Sequence, residues 1–153
     1  MLFRSGNNVN VSFGATKGGG AGETDAVYDP KTNTYSGFNV TLDPDKINGS
    51  NDFAIDGAHE GTHVSDYESY ELNPATTMTL FQLEYRGYQT SAFAASALGA
   101  TSYSASYEGK TYPIWNGSWG AVDGNITNFV TKFHDNNGQQ TAPEEIPHNP
   151  QPN

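Results

Sequence analysis

The chain has no cysteine. That removes disulfides, thiolate metal ligands and cysteine nucleophiles together. It leaves the redox compartment open, because a cysteine-free chain tolerates any poise. Cations are scarce as well: seven Lys and Arg face 17 Asp and Glu, for a formal net charge of −10. Nucleic-acid affinity is carried by cationic side chains, and anionic membranes attract the same groups. Neither nucleic acid nor a membrane surface is therefore an expected partner. No apolar run approaches the roughly 18 residues a membrane-spanning helix needs. Residues 1–20 hold one Arg and no apolar stretch, so a secretory leader is not expected there.

What remains is a polar chain of 153 residues, 35% hydrophobic and 16% charged. That length suits one domain with a single core, or one domain and a tail. Residues 1–25, with Gly18-Gly19-Gly20 and Gly22, read as a flexible lead-in in which only Val9 to Phe13 alternates like a strand. The folded domain is expected over 26–135. Residues 136–153, with four prolines and no aromatic side chain, read as a disordered tail.

Within the domain, Ala26 to Tyr28 and Tyr35 to Leu42 read as a hairpin around the turn chemistry of residues 29–33, with Phe38, Val40 and Leu42 on one face. Asp43, Asp45 and Asn48 lack the spacing of a calcium loop, since Ile47 stands where an oxygen ligand is needed. They read as a turn. A helix is predicted over 51–71, capped by Asn51 or Asp52, with a ragged apolar side of Phe53, Ile55, Ala58, Thr62 and Val64. Pro74 suits the start of a second helix over 75–98, with Leu80, Leu83, Tyr88, Phe93 and Leu98 spaced along it and Gly99 as its stop. Residues 102–122 hold aromatic residues between glycines, with Glu108-Gly109-Lys110 as a hairpin turn. Residues 125–134 read as a last short helix carrying Ile126, Phe129, Val130 and Phe133.

The first helix contains His59-Glu60-Gly61-Thr62-His63. Imidazoles at i and i+4 stand one above the other on a helix face, and both can reach one metal ion at about 2.0–2.1 Å. Glu60 borders that face, where a carboxylate outside the ligand set can take a proton from a water activated by the ion. With four His and eight Glu, chance gives this pattern in roughly one such chain in two hundred. The other histidines, His134 and His148, lie at a helix end and in the proline-rich tail and are expected in solvent. A third protein ligand is still needed. Glu84 lies near the apolar side set by Leu80, Leu83 and Tyr88, where a carboxylate is costly unless paired or coordinated. A helix crossing the first can present it to both rings. The competing reading makes Glu84 a surface partner of Arg86. Asp66, three residues after His63, is expected to orient an imidazole N–H, with a ligand role left open.

His59 to His63 followed by Glu84 resembles the arrangement of gluzincin-type zinc metallopeptidases, in which a later helix supplies a Glu ligand. The stretch His59-Glu60-Gly61-Thr62-His63-Val64-Ser65-Asp66-Tyr67 is similar to the active-site helix of lethal-factor-like peptidases. Glu84-Tyr85-Arg86-Gly87-Tyr88 looks like the Glu-x-x-Ala-Tyr pattern of metallopeptidase domains at the C-termini of bacterial polymorphic toxins, including rearrangement-hot-spot proteins. Gly87 replaces the usual Ala, as close helix packing would allow.

The resemblance spans about residues 53–98 and implies an α+β, zincin-like domain. Such a domain has a small N-terminal β-sheet and two central helices crossing at a Zn²⁺ held by His59, His63 and Glu84. It implies a peptidase with Glu60 as base and Tyr88 as oxyanion donor, Tyr85 and Tyr67 being alternatives. It further implies secretion or delivery as part of a larger toxin, a protein or peptide substrate, and a cognate immunity protein as partner. Two other readings are a zinc-dependent peptidoglycan amidase and a non-catalytic acidic binding module. The Asn-x-Ser/Thr sequons at Asn10, Asn39, Asn48, Asn116 and Asn125 lend the last of these little weight.

Overall fold

A computed structural model of the chain describes residues 8–29, 31–32, 34–73, 78–107 and 109–134, without the side chains of 133 and 134. The class is α+β. Three strands come first: β1 (Val9–Phe13), β2 (Gly22–Asp29) and β3 (Thr34–Leu42). Helices α1 (Ser50–Leu72) and α2 (Leu80–Ala97) follow, then the hairpin β4 (Tyr103–Tyr107) and β5 (Lys110–Trp115), then α3 (Trp119–His134). The first sheet is small and mixed, in the order β1-β3-β2, with β1 parallel and β2 antiparallel to β3.

The expected hairpin forms, and Phe38, Val40 and Leu42 are buried as the alternation requires. The sheet reaches further back than the sequence suggests. The strand-like stretch Val9 to Phe13 forms β1, as its alternation suggests, whereas residues 22–25, assigned above to a lead-in, are part of β2. A parallel partner more than 20 residues away leaves no turn signal between the strands, so local pattern does not reveal the pairing. The tail assignment for 136–153 lies outside the described residues, as do Pro74 and Glu108.

Helix α1 explains its own ragged pattern. Ile55 and Val64, both fully buried, lie nine residues apart, which is half a turn around a helix of 3.6 residues per turn. Ile55 joins a core made with α2, the β4–β5 hairpin and α3. Val64 joins a second core against Phe38, Val40 and Leu42 of the sheet. The helix is therefore covered on two opposite sides. Its remaining buried positions include Asp56, His59, Glu60, His63 and Asp66. No side-chain cap forms at Asn51 or Asp52. The N-cap is Gly49, at φ 93°, a backbone angle suited to glycine.

Helix α2 begins at Leu80 rather than 75, because Thr79 and Gln82 form a reciprocal capping box: Gln82 N donates to Thr79 Oγ1 (3.0 Å) and Thr79 N donates to Gln82 Oε1 (2.8 Å). It ends as expected at Gly99 (φ 70°), where Gly99 N donates to Ser96 O and Ala100 N to Ala95 O, the paired bonds of a Schellman motif. The packed face of α2 is made of Leu83, Gly87, Ser91, Ala92 and Ala95. Phe93 and Leu98, though spaced along the helix with Leu83, are exposed. Helix α3 begins at Trp119, six residues before the predicted start, and buries Val122, Ile126, Phe129 and Val130. Gly120 and Gly124 mask its first turns at the level of propensity, and tertiary packing overrides them.

The capping box is separable from the chemistry of the molecule. Thr79→Ala should lower unfolding free energy by about 1 kcal/mol, read from the urea midpoint at unchanged slope, and leave metal content unaltered.

Candidate metal centre

The α1–α2 crossing brings three donors into a triangle. His59 Nε2 and His63 Nε2 are 3.0 Å apart. Glu84 reaches over from α2 with Oε2 3.4 Å from His59 Nε2 and Oε1 3.5 Å from His63 Nε2. Donors about 2.0–2.1 Å from one tetrahedral ion stand roughly 3.3 Å from each other. The triangle fits a single ion, and nitrogen and carboxylate donors suit zinc among other divalent metals. All three side chains are largely shielded from water. His59, His63 and Glu84 thus form a cluster with the geometry to hold one metal ion.

Each helix supplies one face. On α2, Glu84, Gly87, Tyr88 and Ser91 follow the i, i+3, i+4, i+7 spacing of a single face. Gly87 is the clearance point. A methyl group built there would stand 2.6–2.9 Å from His59 Cε1, Nε2 and Nδ1. The glycine is thus what lets the ring lie against α2. Ser91 Oγ lies 3.4 Å from His59 Nδ1 and donates to Gly87 O at 3.3 Å. That arrangement suits a ring that keeps its proton on Nδ1 and offers Nε2 to a metal. Thr62 Oγ1 donates to Thr90 Oγ1 across the same crossing at 2.9 Å.

Asp66 is not placed among the donors. It is 1% exposed and holds Arg86, whose Nε donates to Oδ1 (2.9 Å) and Oδ2 (3.2 Å) and whose Nη2 lies 2.8 Å from Oδ1. This corrects the expectation that Asp66 orients an imidazole, and it removes Arg86 as the partner of Glu84. A fixed guanidinium fork matches a carboxylate better than an imidazole N–H does.

Glu60 is buried beside His59. The Thr24 hydroxyl of β2 donates to Glu60 Oε2 at 2.7 Å and lies 3.2 Å from Glu60 O. Burial raises the Glu60 pKa to about 7, with Glu84 and Asp56 adding to the rise and His59 and Thr24 opposing it. For His59, burial opposes the charged ring. The hydrogen bond and charge of Glu84, with Glu60 and Asp56, outweigh it and raise the pKa.

The tyrosines separate by environment. The Tyr88 ring packs at 4.4 Å on His59 and 5.1 Å on Phe129, and burial lifts its hydroxyl pKa well above the ordinary value. Tyr85 donates to Asp123 Oδ1 of α3 at 2.8 Å. Tyr67 packs on Tyr35 and Phe38 in the sheet core. Of the three, Tyr67 and Tyr88 line the cleft, and Tyr88 packs on the His59 ring. Sequence reasoning missed Tyr103, which donates to Asp56 Oδ1 at 2.6 Å. Nothing local marks that pair, which joins residues 47 positions apart.

The triad opens into a cleft of about 780 Å³, whose lining includes Glu60, Tyr88 and Tyr103 as well as residues 22–25 of β2 and 103–106 of β4. Glu84→Ala should strip the metal from the purified protein, as measured by elemental analysis. Gly87→Ala should weaken metal affinity by roughly 10- to 100-fold, measured by chelator competition, with helix content unchanged by circular dichroism.

No family model, no curated protein and no solved structure matches the chain. The chemistry of the cleft is read from its own side chains.

Proposed function

We propose that the protein is a zinc-dependent peptidase. The observation that carries this reading is the placement of a buried carboxylate, Glu60, next in sequence to His59 of a His-His-Glu cluster that lines an open cleft. When bound, Zn²⁺ would supply Lewis acidity for a substrate carbonyl and for a water. His59, His63 and Glu84 would hold the ion. Their single negative charge leaves the site electrophilic, because the two imidazoles do not cancel its charge. Glu60 takes the proton of the attacking water and delivers it to the leaving amine. A group with a pKa near the working pH does both steps well. Tyr88 offers its O–H to the carbonyl oxygen as negative charge grows there; its raised pKa keeps that proton in place.

The toxin assignment belongs to the same proposal and rests on the motif resemblance. It makes the chain an effector domain delivered as part of a larger protein, with a protein or peptide substrate and an immunity protein that closes the cleft. Folded proteins and purified cell wall, offered in parallel to the zinc-loaded protein, distinguish a peptidase from an amidase. Freshly purified protein with no stoichiometric zinc would instead favour an acidic binding module.

Glu60→Gln should retain zinc and lose turnover by about 10²- to 10⁴-fold; an active variant, or one that loses the metal, would assign Glu60 a different role. The pH profile has a definite sign. Burial favours the protonated acid, so the base form is gained as pH rises through the Glu60 pKa of about 7. A cation nearby favours the carboxylate and lowers that value. kcat/KM should therefore fall on the acid side with a midpoint at or below about 7, measured with a peptide lacking groups that titrate there.

A further inference from the structure

The proposed general base is not held by the helix that carries it. The Glu60 carboxylate accepts a hydrogen bond from Thr24 of β2, in the sheet. The register of β2 explains how. Gly22, Thr24 and Ala26 pair with Leu42, Val40 and Phe38, the three buried residues of β3. Residues paired across a strand share a face, so these three small residues face α1. Glu23 and Asp25, of opposite parity, are bridged by Lys17.

On that inward face Gly22 and Thr24 do different things. A methyl group built on Gly22 would stand 2.7 Å from Glu60 Cγ and 2.8 Å from Cδ, so the carboxylate occupies the room a side chain would take. Thr24 then ties the group down, its hydroxyl within reach of both Oε2 and the backbone oxygen of Glu60. Geometric control of this kind matters, because a catalytic group misplaced by about 1 Å costs on the order of 100-fold in rate.

Resting on the peptidase reading above, we infer that Gly22 and Thr24 of strand β2 are positioning residues for the Glu60 carboxylate, one supplying its space and the other its hydrogen bond. The ligand helices place the ion, and the sheet places the base. This divides the site between two structural layers that different substitutions can disturb separately.

The test compares Thr24→Val, Thr24→Ser and Gly22→Ala with the wild type, all zinc-loaded. Thr24→Val removes the donor while keeping the shape. It should lower kcat by roughly 10- to 100-fold with KM and zinc affinity within about two-fold, and Thr24→Ser should restore kcat. Gly22→Ala, which keeps the hydroxyl and fills the space, should lower kcat in the same way. The seat is also read without turnover. In protein labelled with ¹³C at glutamate carboxyls, the Glu60 resonance is assigned by its loss in Glu60→Gln. It should move in Thr24→Val and in Gly22→Ala and return in Thr24→Ser. An unmoved resonance, unchanged kcat in Thr24→Val, failed rescue by Ser, or a parallel loss of zinc would each overturn the inference. Wild-type protein that hydrolyses nothing would instead overturn the peptidase reading, and the resonance would still decide where Glu60 is held. If Thr24→Val does not fold, Gly22→Ala carries both measurements.

Discussion

A carboxylate inserted between two imidazoles, away from water, is the constraint on which the molecule turns. Such a group is costly to bury unless its charge is answered. Glu84 is answered by His59 and His63 at 3.4 and 3.5 Å, and a divalent cation would answer it better. The crossing of α1 and α2 has to be close and fixed for this to hold. Gly87 removes the atoms that would push His59 away. The Thr62–Thr90 bond and the Asp66–Arg86 fork join the same two helices. Asp66, almost wholly buried, makes the fork a demanding one: removing Arg86 would leave an uncompensated charge inside.

The same constraint accounts for the unusual character of α1. A helix at the surface of a domain shows one apolar stripe and one polar face. Here two apolar residues on opposite sides, Ile55 and Val64, anchor the helix in separate cores. Between them the buried face is polar. The sheet and the α2–α3–hairpin layer thus do the hydrophobic work and leave α1 free to carry Asp56, His59, Glu60 and His63 beside the cleft. Each of these costs desolvation, and Thr24, Tyr103, Ser91 and Glu84 return part of that cost as hydrogen bonds or charge. The result is a cleft whose donors come from both cores' margins.

How far this was legible differs from residue to residue. His59 and His63 were readable because their meeting depends only on helix geometry. Glu84 was readable because a lone carboxylate among Leu80, Leu83 and Tyr88 marks an inward face. The hairpin of β2 and β3 and the stop at Gly99 were readable because turn and cap chemistry are local. Asp66 was misread, because its partner Arg86 is on another helix and no spacing within α1 announces it. The starts of all three helices moved. At α1 the cap is a glycine, at α2 a capping box over Thr79 to Gln82 was passed over, and at α3 glycines hide a turn that packing enforces. Thr24 and Tyr103 were not found at all.

The sequence by itself determined the helices that bear the histidines and the glutamate, the β2–β3 pair with its buried face, and a donor set suited to a divalent metal. These follow from periodicity, turn residues and side-chain chemistry, each acting over a few positions. Only the tertiary structure decided that Asp66 faces Arg86, that Phe93 points outward, that the strand of residues 9–13 pairs in parallel with β3, and that Thr24 of β2 bonds the carboxylate of Glu60. Those outcomes depend on which surfaces meet between residues 20 to 36 positions apart. No local preference encodes such a meeting, because its free energy appears only when the chain has closed and water has left the interface.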